Sequence, residues 1–275
     1  MAVRTELRGL AATMRARARG RDSALIAAGL TFYAAFAVVP VLALALRVTT
    51  ALAGEATVRR LGGHLAHLLP DELGAPGVVT QLVDAGVDLS WWHALLALLP
   101  ISLYGEGLRR ALLRYTPARD RFTAWRGRLL ALPLVVAAPP LLYLVLEAGR
   151  AVDALDDGGF WGHVAGFLVG YYVVLAVMFV PLLWGFGVVA AGHLRRPALL
   201  AGAFLTAASL SGFLQGFTLF LALPLKLGAP FGGLTPVGGA LAVAFWIWLL
   251  QFVVIAGWLV TEALDERLQR GSPAE

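Results

Sequence analysis

The 275-residue chain has no cysteine, one lysine (Lys226) among its 22 basic residues, and only 14% charged residues overall. Without cysteine there can be neither disulfides nor thiolate metal sites, and nothing marks the redox compartment. The shortage of charge is more informative. A soluble domain covers its surface with roughly a quarter charged residues, so much of this surface must face something other than water. Histidine is also sparse. The five present (His64, His67, His93, His163 and His193) are scattered over separate segments and no acidic cluster joins them.

What fills the chain is apolar: 59% hydrophobic residues and a mean hydropathy of +0.78. Uncharged runs extend over Ala24–Leu46, Leu129–Leu146, Phe160–Gly192, Pro197–Leu225 and Leu227–Thr261. A membrane-spanning helix needs about 20 mostly apolar residues. With a shorter run at Leu89–Gly105, the reading is an all-α polytopic membrane protein. It has a bundle of six transmembrane helices at about 24–46, 89–105, 129–147, 160–190, 197–223 and 237–261. Residues 1–23 form a basic arm, 47–88 a small helical cap outside the cytoplasm, and 264–275 a short charged tail. The first apolar run follows an arginine-rich lead with no small-residue cleavage site, so it reads as a retained anchor.

The stretch Trp91–Arg128 organises the rest. It begins as an apolar helix, meets a carboxylate between two glycines (Gly105-Glu106-Gly107), then delivers Arg109, Arg110, Arg114, Arg119, Arg121, Arg126 and Arg128. Counting this loop with the arm, the Arg195-Arg196 turn and the tail, 17 of the 22 basic residues lie on one face, whereas acidic residues split eight and nine. Cations in short loops set topology, which makes that face and both termini cytoplasmic. Trp91, Trp92 and Trp161 would anchor the outer boundary, and Tyr115 and Trp125 the inner one. A pI near 10.1 would suggest nucleic acid in a soluble protein. Here the arginines flank spans, so the expected partners are membrane lipids with anionic headgroups and no nucleic acid. A homo-oligomer is left open.

Few polar residues fall inside the spans, and each is a candidate. Glu106 is the sharpest, because an ionised carboxylate in lipid costs roughly 2.5–3.5 kcal/mol and needs a partner or water. Arg109 and Arg110, three and four residues on, can form a helical ion pair with it, or the group can serve as a gate at the inner mouth. Gln215, Gln251 and Tyr33 complete the set of cavity or gate candidates. Arg47 is expected to reach headgroups and Glu262 to sit at the interface. Gly162, Gly166 and Gly170 form a small-residue ladder on the fourth span, facing the pair Gly212 and Gly216 on the fifth. Pro40 is a kink site. His64 and His67 have no acidic partner at ligand spacing, so no metal and no cofactor is expected.

The order of several segments resembles the YihY/BrkB family of bacterial inner-membrane proteins. The residues that carry the likeness are Ala28 to Pro40 with Phe32-Tyr33, and Arg195-Arg196-Pro197 leading to Gly202-Ala203. The closing run Gly232-Gly233-Leu234 through Trp246-Ile247-Trp248 to Gly257 and Glu262 completes it. The resemblance implies a six-helix fold at the plasma membrane, a link to envelope integrity or transport, and a ribonuclease label. That label conflicts with the residues, because metal-dependent phosphodiester hydrolysis needs carboxylates or histidines converging on cations. The expectation is therefore a non-enzymatic transporter or lipid-handling protein of the envelope. The alternative is a non-catalytic scaffold or envelope-integrity protein.

Overall fold

A computed structural model describes residues 2–70, 74–116, 123–155, 159–190 and 194–270. Arg119, Arg121 and His193 lie outside the described residues. All regular structure among those described is helical: α1 (Ala2–Ala18), α2 (Ser23–Ala53), α3 (Glu55–His67), α4 (Ala75–Val87), α5 (Trp91–Leu113), α6 (Thr123–Leu155), α7 (Phe160–Trp184), α8 (Arg196–Leu221) and α9 (Thr235–Arg270). A π-turn, Gly185–Ala190, prolongs α7, and a 3₁₀ turn, Ala229–Phe231, precedes α9. Several helices overrun the bounds expected from hydropathy. Helix α5 continues past residue 105 to Leu113 and α6 begins at Thr123, so much of the supposed arginine loop is helical. Helix α9 likewise carries the charged tail on to Arg270.

Helices α2, α6, α7, α8 and α9 are each long and apolar enough to cross a membrane. Helix α5 meets that test only together with α4, from which it is bent by 117°. Two tryptophans, a histidine, a proline and Glu106 dilute its apolar character. Its packing nonetheless runs the length of a span. Arg47 of α2 lies over the Trp91 ring at 4.7 Å near one end, Leu44, Ala94 and Ile101 share a cluster, and Tyr33 meets Gly107 near the other end. At 1.5 Å per residue its 23 residues measure about 34 Å.

Six helices thus form a ring of antiparallel neighbours in the order α2, α5, α6, α7, α8, α9 and back to α2. Helix α1 rests on the C-terminal part of α9, so both ends of the described chain lie at one end of the ring. The outer faces carry large apolar side chains in the open, among them Leu52 at 80% and Val136 at 78% exposure. Apolar surface of that extent marks contact with something other than water, and on helices of spanning length that is lipid. At the far end α3 and α4 fold over α2 and α6 through Leu46, Val58, Leu61, Val83, Val87 and Leu146. Arg59 ties the two cap helices together, bonding Glu55 at 3.0 Å and Asp88 at 3.1 Å as well as Asp84.

Small residues decide how closely the helices approach, though not all the expected ones. The α8–α9 contact is reciprocal: Gly202 of α8 faces Thr261 of α9, and Gly257 of α9 faces Thr206 of α8. Each threonine hydroxyl donates to the carbonyl of the glycine four residues earlier, at 2.7 Å. Its hydrogen bond is thereby satisfied within its own helix and its side chain is held against the partner's backbone. On α7, Gly162 and Gly166 are buried, with Gly166 toward Val152 of α6 and Gly170 toward Gln215 of α8. The expected facing pair on α8 does not complete this ladder. Gly216 approaches Trp246 of α9, and Gly212 is exposed with nothing within 4 Å of an added Cβ. Pro40 lies inside α2, which runs unbroken from Ser23 to Ala53.

These contacts predict opposite outcomes for two glycine substitutions. Gly202→Ala places a Cβ into Thr261 and should destabilise by about 1–3 kcal/mol, read as a lower thermal midpoint in detergent. Gly212→Ala meets nothing and should be neutral or stabilising by about 0.5–1 kcal/mol, the ordinary helix preference for alanine over glycine.

Candidate functional site

At the arginine-rich end of the ring, the glycines flanking Glu106 explain how a carboxylate comes to be buried there. A Cβ on Gly105 would overlap Ala131 and lie 2.6 Å from the Gly127 carbonyl oxygen, and one on Gly127 would lie 2.8 Å from the Glu106 Cα. Helices α5 and α6 therefore cross where neither carries a side chain. On the other side of Glu106, Gly107 makes room for the Tyr33 ring, 2.5 Å from where its Cβ would be. The crossing leaves Glu106 only 5% exposed. Its two oxygens are taken by Arg110 at 2.5 Å and by Arg128 Nε at 2.6 Å. Both guanidiniums are about half exposed, so they connect the buried carboxylate to the surface.

Arg110 is the partner that helical spacing suggests. Arg109 has a different role: Nη1 donates to the carbonyls of Val189 and, at 3.2 Å, Ala190. These carbonyls end the π-turn after α7, where helical partners run out and a cation is favoured. Arg128 escapes a local reading because hydropathy starts the span at residue 129 whereas α6 begins at Thr123, and its partner lies 22 residues away.

A second acidic node lies beside the first. Glu262, expected at the interface, is 3% exposed. It accepts from Arg17 of α1 at 2.7 Å and from the Thr116 hydroxyl at 2.9 Å, while Arg17 also reaches Glu266 at 3.3 Å. Tyr115, expected as an interfacial anchor, is instead buried at 2% exposure and donates to the Ser23 hydroxyl at 2.8 Å. Asp265 accepts from the Arg195 backbone N–H at 2.8 Å, fixing the start of α8. Between these nodes the largest apolar core closes the ring, with Phe186 against Trp258 at 5.3 Å between ring centres.

Further along, the ring is not filled. A partly open chamber of about 470 Å³ lies among α2, α5, α6, α7 and α9. Its walls are Ala37, Val41 and Ala45 from α2, Ala131, Val135, Ala138 and Leu142 from α6, and Met178 and Pro181 from α7. A smaller chamber of about 200 Å³ adjoins it toward α8. Tyr104 and Gln251 line both, and among the described residues they are the only polar side chains in either lining. The Tyr104 hydroxyl donates to Gln251 Oε1 at 3.2 Å. Gln215 lines neither chamber and packs against Gly170 instead. Arg47 stacks on Trp91. His64 does find an acidic neighbour, Asp153 on α6 at 2.7 Å, a pairing across 89 residues that spacing alone could not reveal. Among the described residues no group of three metal-ligating side chains converges.

Buried pairs lose most when only one partner is removed, because the remaining charge is stranded. The double substitution Arg110→Ala with Arg128→Ala should therefore lower stability by about 3 kcal/mol or more. Adding Glu106→Gln should restore part of that loss, a non-additivity that thermal unfolding of the double, the Glu106→Gln and the combined variants in detergent would register.

No curated protein and no solved structure matches the chain. A family model described as Virulence factor BrkB matches residues 14–275, nearly its whole length. That match, on an all-helical chain with helices long and apolar enough to cross a membrane, places this chain in the BrkB family of membrane proteins.

Proposed function

We propose that the protein is a lipid-handling or transport protein of the bacterial plasma membrane, and that it accommodates a hydrocarbon chain inside its ring. The chamber of about 470 Å³ carries this reading. Its size falls in the range of ligand sites, roughly 300–1,000 Å³. Apart from Tyr104 and Gln251 its lining is apolar, which suits an acyl or isoprenoid chain. A polar or charged solute would lose its hydration there with little to replace it. The stripe on α6 from Ala131 to Val145 rises about 21 Å at 1.5 Å per residue, against a hydrocarbon core of about 30 Å. A lipid tail matches that length.

The arginine-rich end supports an orientation. If it faces the cytoplasm, as cation counts favour, both termini are cytoplasmic and the exposed guanidiniums of Arg110 and Arg128 meet anionic headgroups. Catalysis is not part of the proposal, because the chamber lining offers no nucleophile beside a base. A scaffold reading would predict a closed interior with no chamber of ligand size. The unfilled chamber favours lipid binding over it.

The test is photo-cross-linking in vesicles with a phospholipid that carries a diazirine on its acyl chain. Labelling should concentrate on peptides spanning 34–45 and 131–145. Ala138→Trp, which fills the chamber, should cut it several-fold, while Val136→Trp on the outer face leaves it intact. Equal labelling of every lipid-facing helix, unaffected by Ala138→Trp, would overturn the proposal.

A further inference from the structure

The one polar pair in the chamber is not fully used. Gln251 is 7% exposed, on the inner face of α9, and among the described residues its hydrogen-bond partner is Tyr104, through Oε1. The amide has two further donors on Nε2. Nε2 is open to the chamber rather than sealed into the helix packing, so it can donate to a ligand there, which an apolar residue at this position could not do. Tyr104 is already a donor to Oε1, which fixes the amide so that Nε2 remains the group offered to the chambers it lines.

The depth of the pair limits what can answer it. Residue 251 stands near the middle of α9's apolar stretch, so the partner atom sits close to the bilayer midplane. A carboxylate or phosphate there would be paid for by desolvation, and among the described residues no cationic side chain lines either chamber. A neutral oxygen acceptor has no such penalty. We infer that, building on the chain-binding reading above, the natural ligand is a neutral lipophile bearing a carbonyl-type oxygen, which accepts a hydrogen bond from Gln251 Nε2 while its hydrocarbon fills the chamber. The ligand class is thus a long-chain ketone, quinone or similar carbonyl lipid, oriented by one hydrogen bond in an otherwise apolar site, the usual division of labour in small-molecule pockets. Tyr104 is a positioning residue: it acts on the ligand through the amide it orients.

Two probes of matched shape separate the ideas: a decyl-substituted benzoquinone, which carries the acceptor, and decylbenzene, which lacks it. Both are titrated against the purified full-length protein in detergent, with the concentration dependence of the thermal midpoint as readout. Wild type should respond to the quinone at a concentration about tenfold lower than to decylbenzene, the ratio expected for one hydrogen bond of roughly 1.4 kcal/mol. Gln251→Leu, close in volume and at home in lipid, should abolish that preference while leaving the decylbenzene response unchanged. Tyr104→Phe should shrink the preference by freeing the amide to rotate. Equal response to both probes in wild type, with both lost in Ala138→Trp, would overturn the carbonyl assignment and leave chain binding standing. A decylbenzene response that survives Ala138→Trp would remove chain binding in this chamber, and the inference with it.

Discussion

A carboxylate withdrawn from water must be given a positive partner, and the architecture of the arginine-rich end follows from meeting that demand twice. Glu106 draws Arg110 from its own helix and Arg128 from α6, so the ion pairs also clamp the α5–α6 crossing. Glu262 draws Arg17 from α1 and the hydroxyl of Thr116 from the segment after α5, which fastens the N-terminal arm to the last helix. With Arg109 closing the π-turn, these contacts hold α1, α5, α6, α9, the π-turn and the segment after α5 together at one rim. The geometry depends on glycine: without Gly105, Gly107 and Gly127 the helices could not approach closely enough to shield Glu106. Charge pairing and small-residue packing are here a single device.

The rim contrasts with the middle of the ring. Toward the arginines, Leu108, Leu112, Phe186 and Trp258 fill the interior. Beyond Tyr104 the lining changes to alanine, valine and leucine, which leave space between helices. Proline contributes on α6, where Pro133, Pro139 and Pro140 each withhold a backbone donor. The carbonyls left without that donor are those of Leu129, Val135 and Val136, four residues before each proline, and Thr49 of α2 donates across the same contact to the Pro139 carbonyl at 3.4 Å. On the proposed reading, a ring tightly closed at one rim, capped at the other and loose between them holds a flexible apolar chain.

Hydropathy made most of this architecture legible from the residues alone, since a run of twenty apolar residues has few other solutions. The Glu106–Arg110 pair was legible for the same local reason, four residues on one helix. What escaped was tertiary. Arg128 pairs with a residue on a different helix, and its own helix starts earlier than apolarity indicates because arginines at the membrane rim still form helix. Glu262 looked interfacial because its partner, Arg17, is 245 residues away. Glycine spacing marked Gly212 as a contact residue, but spacing cannot say which face of a helix turns inward. The true α8–α9 contact pairs each glycine with a threonine on the opposite helix, a pattern invisible in either helix alone. Gln251 was noticed as a polar residue in a span, while its place between two chambers required the fold.

The central claim is that the space inside the ring belongs to an apolar chain. A cryo-EM reconstruction of the protein in lipid nanodiscs tests it most directly. The account predicts elongated density in the chamber bounded by α2, α5, α6, α7 and α9, running along the α6 stripe and coming within hydrogen-bonding distance of Gln251. A chamber collapsed by repacked side chains, or one holding a file of ordered water, would contradict it.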